Sequence, residues 1–153
     1  MIDAAPILVA DDNSDDVELL KRAMVKAGLP NPIRFVTDGC QAIEYLQQSS
    51  ELSTATASCP LLMFLDLNMP RCTGFGVLNW LRQQPHLRSL PTIVFSNSDQ
   101  PSDIENSFRL GAQCYWVKPS RFEDLVKLMI RLKDILRDVA SRLEPDAPLP
   151  VAA

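Results

Sequence analysis

The chain has 153 residues, of which 46% are hydrophobic and 22% charged, and a formal net charge of −4. That length fits one domain of about 100–150 residues, and the composition excludes a disordered polar chain. The acidic balance argues against nonspecific nucleic-acid binding, and no stretch reaches the roughly 18 apolar residues of a membrane span.

The N-terminus, "MIDAAPILVADD", lacks the basic region and long apolar run of a secretion signal, so a cytoplasmic protein is expected. Cys40, Cys59, Cys72 and Cys114 form no C-x-x-C pair, and His86 is the sole histidine. Such spacing does not suit zinc, and free thiols are expected.

In chain order, "PILVA" (6–10) is a short apolar run ending in acids, which predicts a buried strand. Val17, Leu20, Met24 and Ala27 recur at three and four over 14–28. Ser14 or Asn13 can cap that helix, Asp15, Asp16 and Glu18 suit its positive end, and Gly28 ends it. "PIRFVTDG" predicts a second strand over about 32–37, and "CQAIEYLQQ" a helix with Ala42, Ile43 and Leu46 inward. The stretch 49–59, "SSELSTATASC", is small, polar and aperiodic, and reads as a flexible loop.

The alternation then repeats. "LLMFLD" predicts a third strand, 74–83 a helix through Phe75, Leu78 and Leu81, and "PTIVFS" a fourth strand. Residues 101–110 predict a helix, "CYWVK" a fifth strand, and Arg121 to about Leu143 one long amphipathic helix. The last ten residues, 144–153, contain three prolines and read as a mobile tail after a domain spanning 1–143. Alternating strands and helices predict an α/β fold, a doubly wound five-stranded parallel sheet with helices on both faces.

In such sheets ligands sit beyond the carboxyl ends of the strands. The first strand ends in Asp11 and Asp12, the third in Asp66, the fourth in Ser96 and the fifth in Lys118, so five polar side chains share one rim. Three crowded carboxylates raise one another's pKa unless a cation sits between them, and a hard ion such as Mg²⁺ (or Mn²⁺) suits oxygen ligands. Carboxylate, metal, ammonium and hydroxyl are the parts needed to form an acyl phosphate on Asp66. Singly, each residue has a plainer account, since acids cap helices and a buried Asp–Lys pair can be structural. A calcium loop starting at Asp11 is excluded by Asp16 and Arg22 at its sixth and twelfth positions.

"VADD", "FLDLNMP" with Gly74, "VFSNS" and "GAQCYWVKP" together resemble the receiver domains of two-component signalling, over residues 6 to about 130. The resemblance implies a flavodoxin-like sheet of order 2-1-3-4-5 with five helices. It also implies Asp66 as phosphoacceptor, Asp11 and Asp12 as metal-side acids, and Asn68 as a metal ligand through its backbone carbonyl. Ser96 becomes the switch hydroxyl, Tyr115 the switch aromatic, and Lys118 the phosphate-binding lysine before a cis Pro119. Asn97 stands where many receivers have Ala.

The loop at 49–59 and "RQQPHLRSLP" look most like stand-alone receivers that partner bacterial phytochrome-type histidine kinases. The implied function is a single-domain response regulator with output by protein contact or phosphorelay. The alternative is a receiver-shaped interaction module that is not phosphorylated.

The last helix carries surplus apolar residues. Leu125, Leu128, Leu132, Ile135 and Val139 form one stripe, and Phe122, Val126, Met129, Leu136, Ala140 and Leu143 a second, broken at Lys133. Adjacent stripes about 100° apart exceed what one core contact needs. At 1.5 Å per residue, about 23 residues span roughly 34 Å. A homodimer is expected, with Leu125, Leu128, Leu132 and Ile135 at its interface, as in many of the receivers this chain resembles.

Overall fold

The structure, a computed structural model, describes residues 5–51 and 59–142. Five parallel strands, β1 (Ile7–Ala10), β2 (Ile33–Val36), β3 (Leu62–Leu65), β4 (Thr92–Ser96) and β5 (Cys114–Val117), form one sheet of order β2-β1-β3-β4-β5. Helices α1 (Ser14–Ala27), α2 (Gly39–Glu51), α3 (Gly74–Leu81), α4 (Pro101–Arg109) and α5 (Phe122–Arg142) alternate with them. This is the flavodoxin-like α/β arrangement that the resemblance implied.

Two apolar layers hold the sheet between helices. One packs Ile7, Val9, Phe64, Phe95 and Trp116 against α1 and α5; the other packs Leu8, Met63, Leu65 and Val94 against α2 and α3. Alternate residues of a strand point to opposite faces, so each central strand feeds both layers. That is why β1, β3 and β4 are buried along their whole length, whereas edge strand β2 is half exposed.

Asn13, not Ser14, caps α1: its side-chain oxygen accepts from the N–H groups of Asp15 and Asp16. Gly28, with φ at +80°, closes the helix, where a Cβ would strain the left-handed backbone. Helix α2 runs on to Glu51, past the expected loop start at 49, because Ser49 turns inward and its hydroxyl donates to the Leu46 carbonyl. The remainder of that loop over 52–58, the expected tail at 144–153, and the Val139, Ala140 and Leu143 side chains lie outside the described residues.

Helix α5 lies along α1. Its inward line is Leu125, Met129 and Leu132, all in the core. Leu125 and Leu132, expected at a dimer interface, are therefore buried within this one chain. Leu128 and Ile135 are half-buried. Toward α1, Phe122 lies under the Lys26 ammonium and Lys133 donates to the Ala27 carbonyl. Leu128 and Ile135 sit about 140° and 160° around the helix from Lys133, so they border the opposite flank. Among the described residues no peptide bond is cis, so the bond before Pro119 is trans, against the implied cis form. The trans form is the intrinsically favoured one, by about 0.5–1 kcal/mol for an X–Pro bond.

If α5 faces the core as described, Leu132→Ala should cost about 2–5 kcal/mol in urea unfolding. Ile130→Ala, on the exposed side, should stay within about 0.5 kcal/mol.

Candidate functional site

The rim is built by the hydrogen-bond ladder continuing one residue past the strands. The Asp11 N–H donates to the Val36 carbonyl, the Asp66 N–H to that of Ala10, and the Lys118 N–H to that of Ser96, at 2.8–3.0 Å. Ala10 pairs with Leu65 in the β1–β3 register, so Asp11 and Asp66 emerge side by side. Ligand atoms of Asp11, Asp12 and Asp66 all lie within 4.8 Å of one another. The spacing and the all-oxygen donor set fit one divalent cation.

Lys118 crosses this cluster with its side chain 7% exposed. Its ammonium donates to Asp11 Oδ2 at 2.8 Å and to Asp16 Oδ2 at 2.8 Å, and only at 3.4 Å to Asp66 Oδ2. On the other side, Asp66 Oδ1 accepts from the Asn68 N–H, again at 3.4 Å. Charge-assisted bonds are ordinarily about 2.7–2.9 Å. Asp66 is thus buried, at 6% exposure, with two long contacts and no short one.

Burial pushes the Asp66 carboxyl above the usual aspartate value; the Lys118 charge opposes this, the Asp11 charge adds to it, and the Asn68 N–H opposes it. For Lys118, burial favours the neutral amine, yet the bonds to Asp11 and Asp16 and the charges of Asp66 and Asp11 outweigh it. The ammonium is held above its ordinary pKa.

The loop after Asp66 is fastened to its surroundings. The Gly74 N–H donates to the Leu67 carbonyl, and a Cβ on Gly74 would stand 2.4 Å from the Asp66 carbonyl oxygen. Arg71 adopts a left-handed φ of +66°, and its Nε and Nη2 donate to Asp38 Oδ2 at 3.1 and 2.7 Å. Asp38 precedes α2 and also accepts from the Gln41 N–H. That bond, against burial and with help from Arg71, holds its carboxyl below the usual range.

All the expected rim residues gather at one end of the sheet. Ser96 is fully buried and its Oγ accepts from the Ser98 N–H at 3.2 Å. Tyr115 is also fully buried, with its hydroxyl donating to the Ser98 carbonyl at 2.7 Å. Tyr115, the switch aromatic that the resemblance implies, is thus packed inward in this structure, and Ser98 links it to Ser96. Asn68, whose N–H reaches Asp66, and Asn97, which follows Ser96, are both exposed. Sequence reasoning gave Asp16 only a place at the helix's positive end. The signal for more was its position at the head of the stripe Asp16, Leu20, Ala23, Ala27, whose other members are all buried.

In divalent-free buffer the Asp66 carboxyl should titrate above the ordinary aspartate value, followed by carboxyl ¹³C NMR. Asp11→Asn should lower the midpoint and Lys118→Met raise it. The native value exceeds the unfolded one, so the native state holds the extra proton between them, and stability falls as pH rises through that window. Asp66→Asn should flatten that part of the thermal-unfolding profile in chelator.

A sequence model of the response regulator receiver domain matches residues 7–130. The response regulator Rcp1 of Synechocystis sp. is 30% identical over 123 residues, covering 80% of this chain and 82% of that protein. The crystal structure of the phosphorylated cyanobacterial phytochrome response regulator RcpA superposes with a TM-score of 0.78 at 30% identity, over 89% of this chain and 96% of that one. The Mn²⁺-bound form of Rcp1 gives a TM-score of 0.74 at 28% identity, over 85% and 92%. Strand order, rim chemistry and these likenesses agree, and the chain belongs to the response regulator receiver family of two-component signalling.

Proposed function

We propose that Asp66 accepts a phosphoryl group from a histidine kinase in the cytoplasm, and that the donor is a kinase of the phytochrome type. The observation that carries the reading is the under-compensated Asp66 beside two further acids and one buried ammonium. The likeness to phytochrome response regulators supports the choice of donor.

An Asp66 oxygen attacks the phosphorus of the donor phosphohistidine. The P–N bond breaks, its electron pair stays on the imidazole, and an acyl phosphate forms on Asp66. Lys118 presents a fixed ammonium to a phosphoryl oxygen, and the Ser96 hydroxyl can donate to another. Asp11, Asp12, Asp66 and the Asn68 backbone carbonyl would hold Mg²⁺ or Mn²⁺; a bound divalent ion offsets the negative charge that acids and phosphoryl group bring together. Hydrolysis of the same acyl phosphate returns the chain to its resting form. Output runs through protein contact or onward phosphotransfer.

The switch follows from the Ser96–Ser98–Tyr115 chain of hydrogen bonds. When the Ser96 hydroxyl turns to a phosphoryl oxygen, the Ser98 N–H loses its acceptor. The β4–α4 loop then shifts against Tyr115, and that difference in contacts biases the two states. The flank of α5 bordered by Leu128 and Ile135 is read as a homodimer surface on the side of α4 and β5.

Acetyl phosphate with Mg²⁺ should add one phosphoryl group by mass spectrometry, and the addition should vanish in Asp66→Asn and with chelator. Undiminished labelling of Asp66→Asn would remove the assignment, and no labelling of the wild type would leave an interaction module. Ser96→Ala should still be labelled, yet lose most of the NMR shift changes around Tyr115. In sedimentation at micromolar concentration, charged substitutions at Leu128 and Ile135 should weaken a dimer; a strict monomer with and without phosphate rules that surface out.

A further inference from the structure

Asp16 stands outside the set of acids that the phosphorylation reading requires, yet it makes one of the two short bonds to Lys118. An ammonium has three donors. Here two are committed at 2.8 Å, to Asp11 and Asp16, and the third faces Asp66 across 3.4 Å. The asymmetry has a cause in the fold. Asp11 leaves the end of β1 and Asp16 lies in the first turn of α1, with Asn13 capping the helix between them. The two carboxylates therefore approach the ammonium from the α1 side, whereas Asp66 approaches from β3. The carbon chain of Lys118 has little freedom to average these pulls, since its side chain is 7% exposed and its ammonium lies 6.0 Å from the Phe95 ring centroid.

We propose that Asp16 is a positioning residue that draws the Lys118 ammonium back from Asp66, so that the acceptor oxygen is not closed into a short ion pair. The consequence for group transfer rests on the function proposed above; the placement of the lysine does not. Without the Asp16 charge, Asp11 is the one carboxylate left in a short bond to the ammonium opposite Asp66. Lys118 then closes onto Asp66 as a short ion pair, and that pair must open before the oxygen can attack phosphorus. Asn at position 16 keeps the shape and one acceptor oxygen, but a bond to a neutral acceptor is roughly half as strong as one to a carboxylate. Asp16 is partly exposed, at 29% of its side chain, so the substitution leaves the fold in place.

The test is Asp16→Asn in the full chain, with two readouts. A crystal structure of the divalent-free variant should show the Lys118–Asp66 separation shortened from 3.4 Å to the range of a charge-assisted bond. At saturating Mg²⁺, which removes any difference in ion affinity, phosphoryl uptake from acetyl phosphate should slow roughly tenfold, the scale of one charge-assisted hydrogen bond. A lysine unmoved in the variant, or uptake as fast as wild type with Mg²⁺ saturating, overturns the proposal. Should the wild type take up no phosphate, the functional reading fails, while the crystal structure still decides where Asp16 holds the lysine.

Discussion

One buried ammonium, shared unequally among three carboxylates, is the interaction on which the rim depends. Without Lys118 the acids at the ends of β1 and β3 would stand together in a partly desolvated corner with no fixed positive charge. With it, two of the three negative charges that it touches are closely matched and the third is not. On the function proposed here, complete neutralisation of Asp66 would make the site more comfortable at rest and less able to react, so the incomplete match is what would set a reactive carboxylate apart from a structural ion pair.

The geometry is a product of register more than of loop conformation. The parallel ladder advances one residue past β1, β3 and β5, so the residues that follow those apolar runs surface at the same level. The apolar runs are buried from both faces, which prevents slippage: moving a strand by one position would carry polar residues into one layer and apolar ones out of the other. Core packing and site geometry are therefore a single constraint. Gly74 adds a local one, because only a residue without a side chain lets the chain return so close to the Asp66 carbonyl.

Much of this was legible beforehand, since periodicity and strand-end position carry the same physics that builds the sheet. Helix α5 shows where such reading blurs. Its apolar residues cover more than one face, and pattern alone cannot say which line meets α1; Leu125 and Leu132, expected at a dimer interface, belong to the core. At Asp16 the ambiguity is electrostatic. An acid in a helix's first turn favours the dipole whether or not it meets a lysine 102 residues away. At Tyr115 sequence supplied the residue and its neighbourhood, but a rotamer is chosen by the surrounding packing. The end of α2 was missed because Ser49 and Ser50 look like loop residues, whereas Ser49 can satisfy its hydroxyl on its own helix.

Arg71 gives the fold a longer reach than its exposed position suggests. A left-handed backbone at a residue with a side chain is unfavourable by roughly 1–2 kcal/mol, and here two bonds to Asp38 offset it. Asp38 in turn opens α2, so the helix start and the turn after Asp66 share one carboxylate. The turn is thereby spring-loaded and latched from another element. A change at the head of α2 can thus alter how firmly the turn carrying Asn68 is held beside Asp66, with no alteration among the rim residues themselves. One arginine thus ties the start of a surface helix to the turn that follows the buried carboxylate, so a substitution at either end is felt at the other.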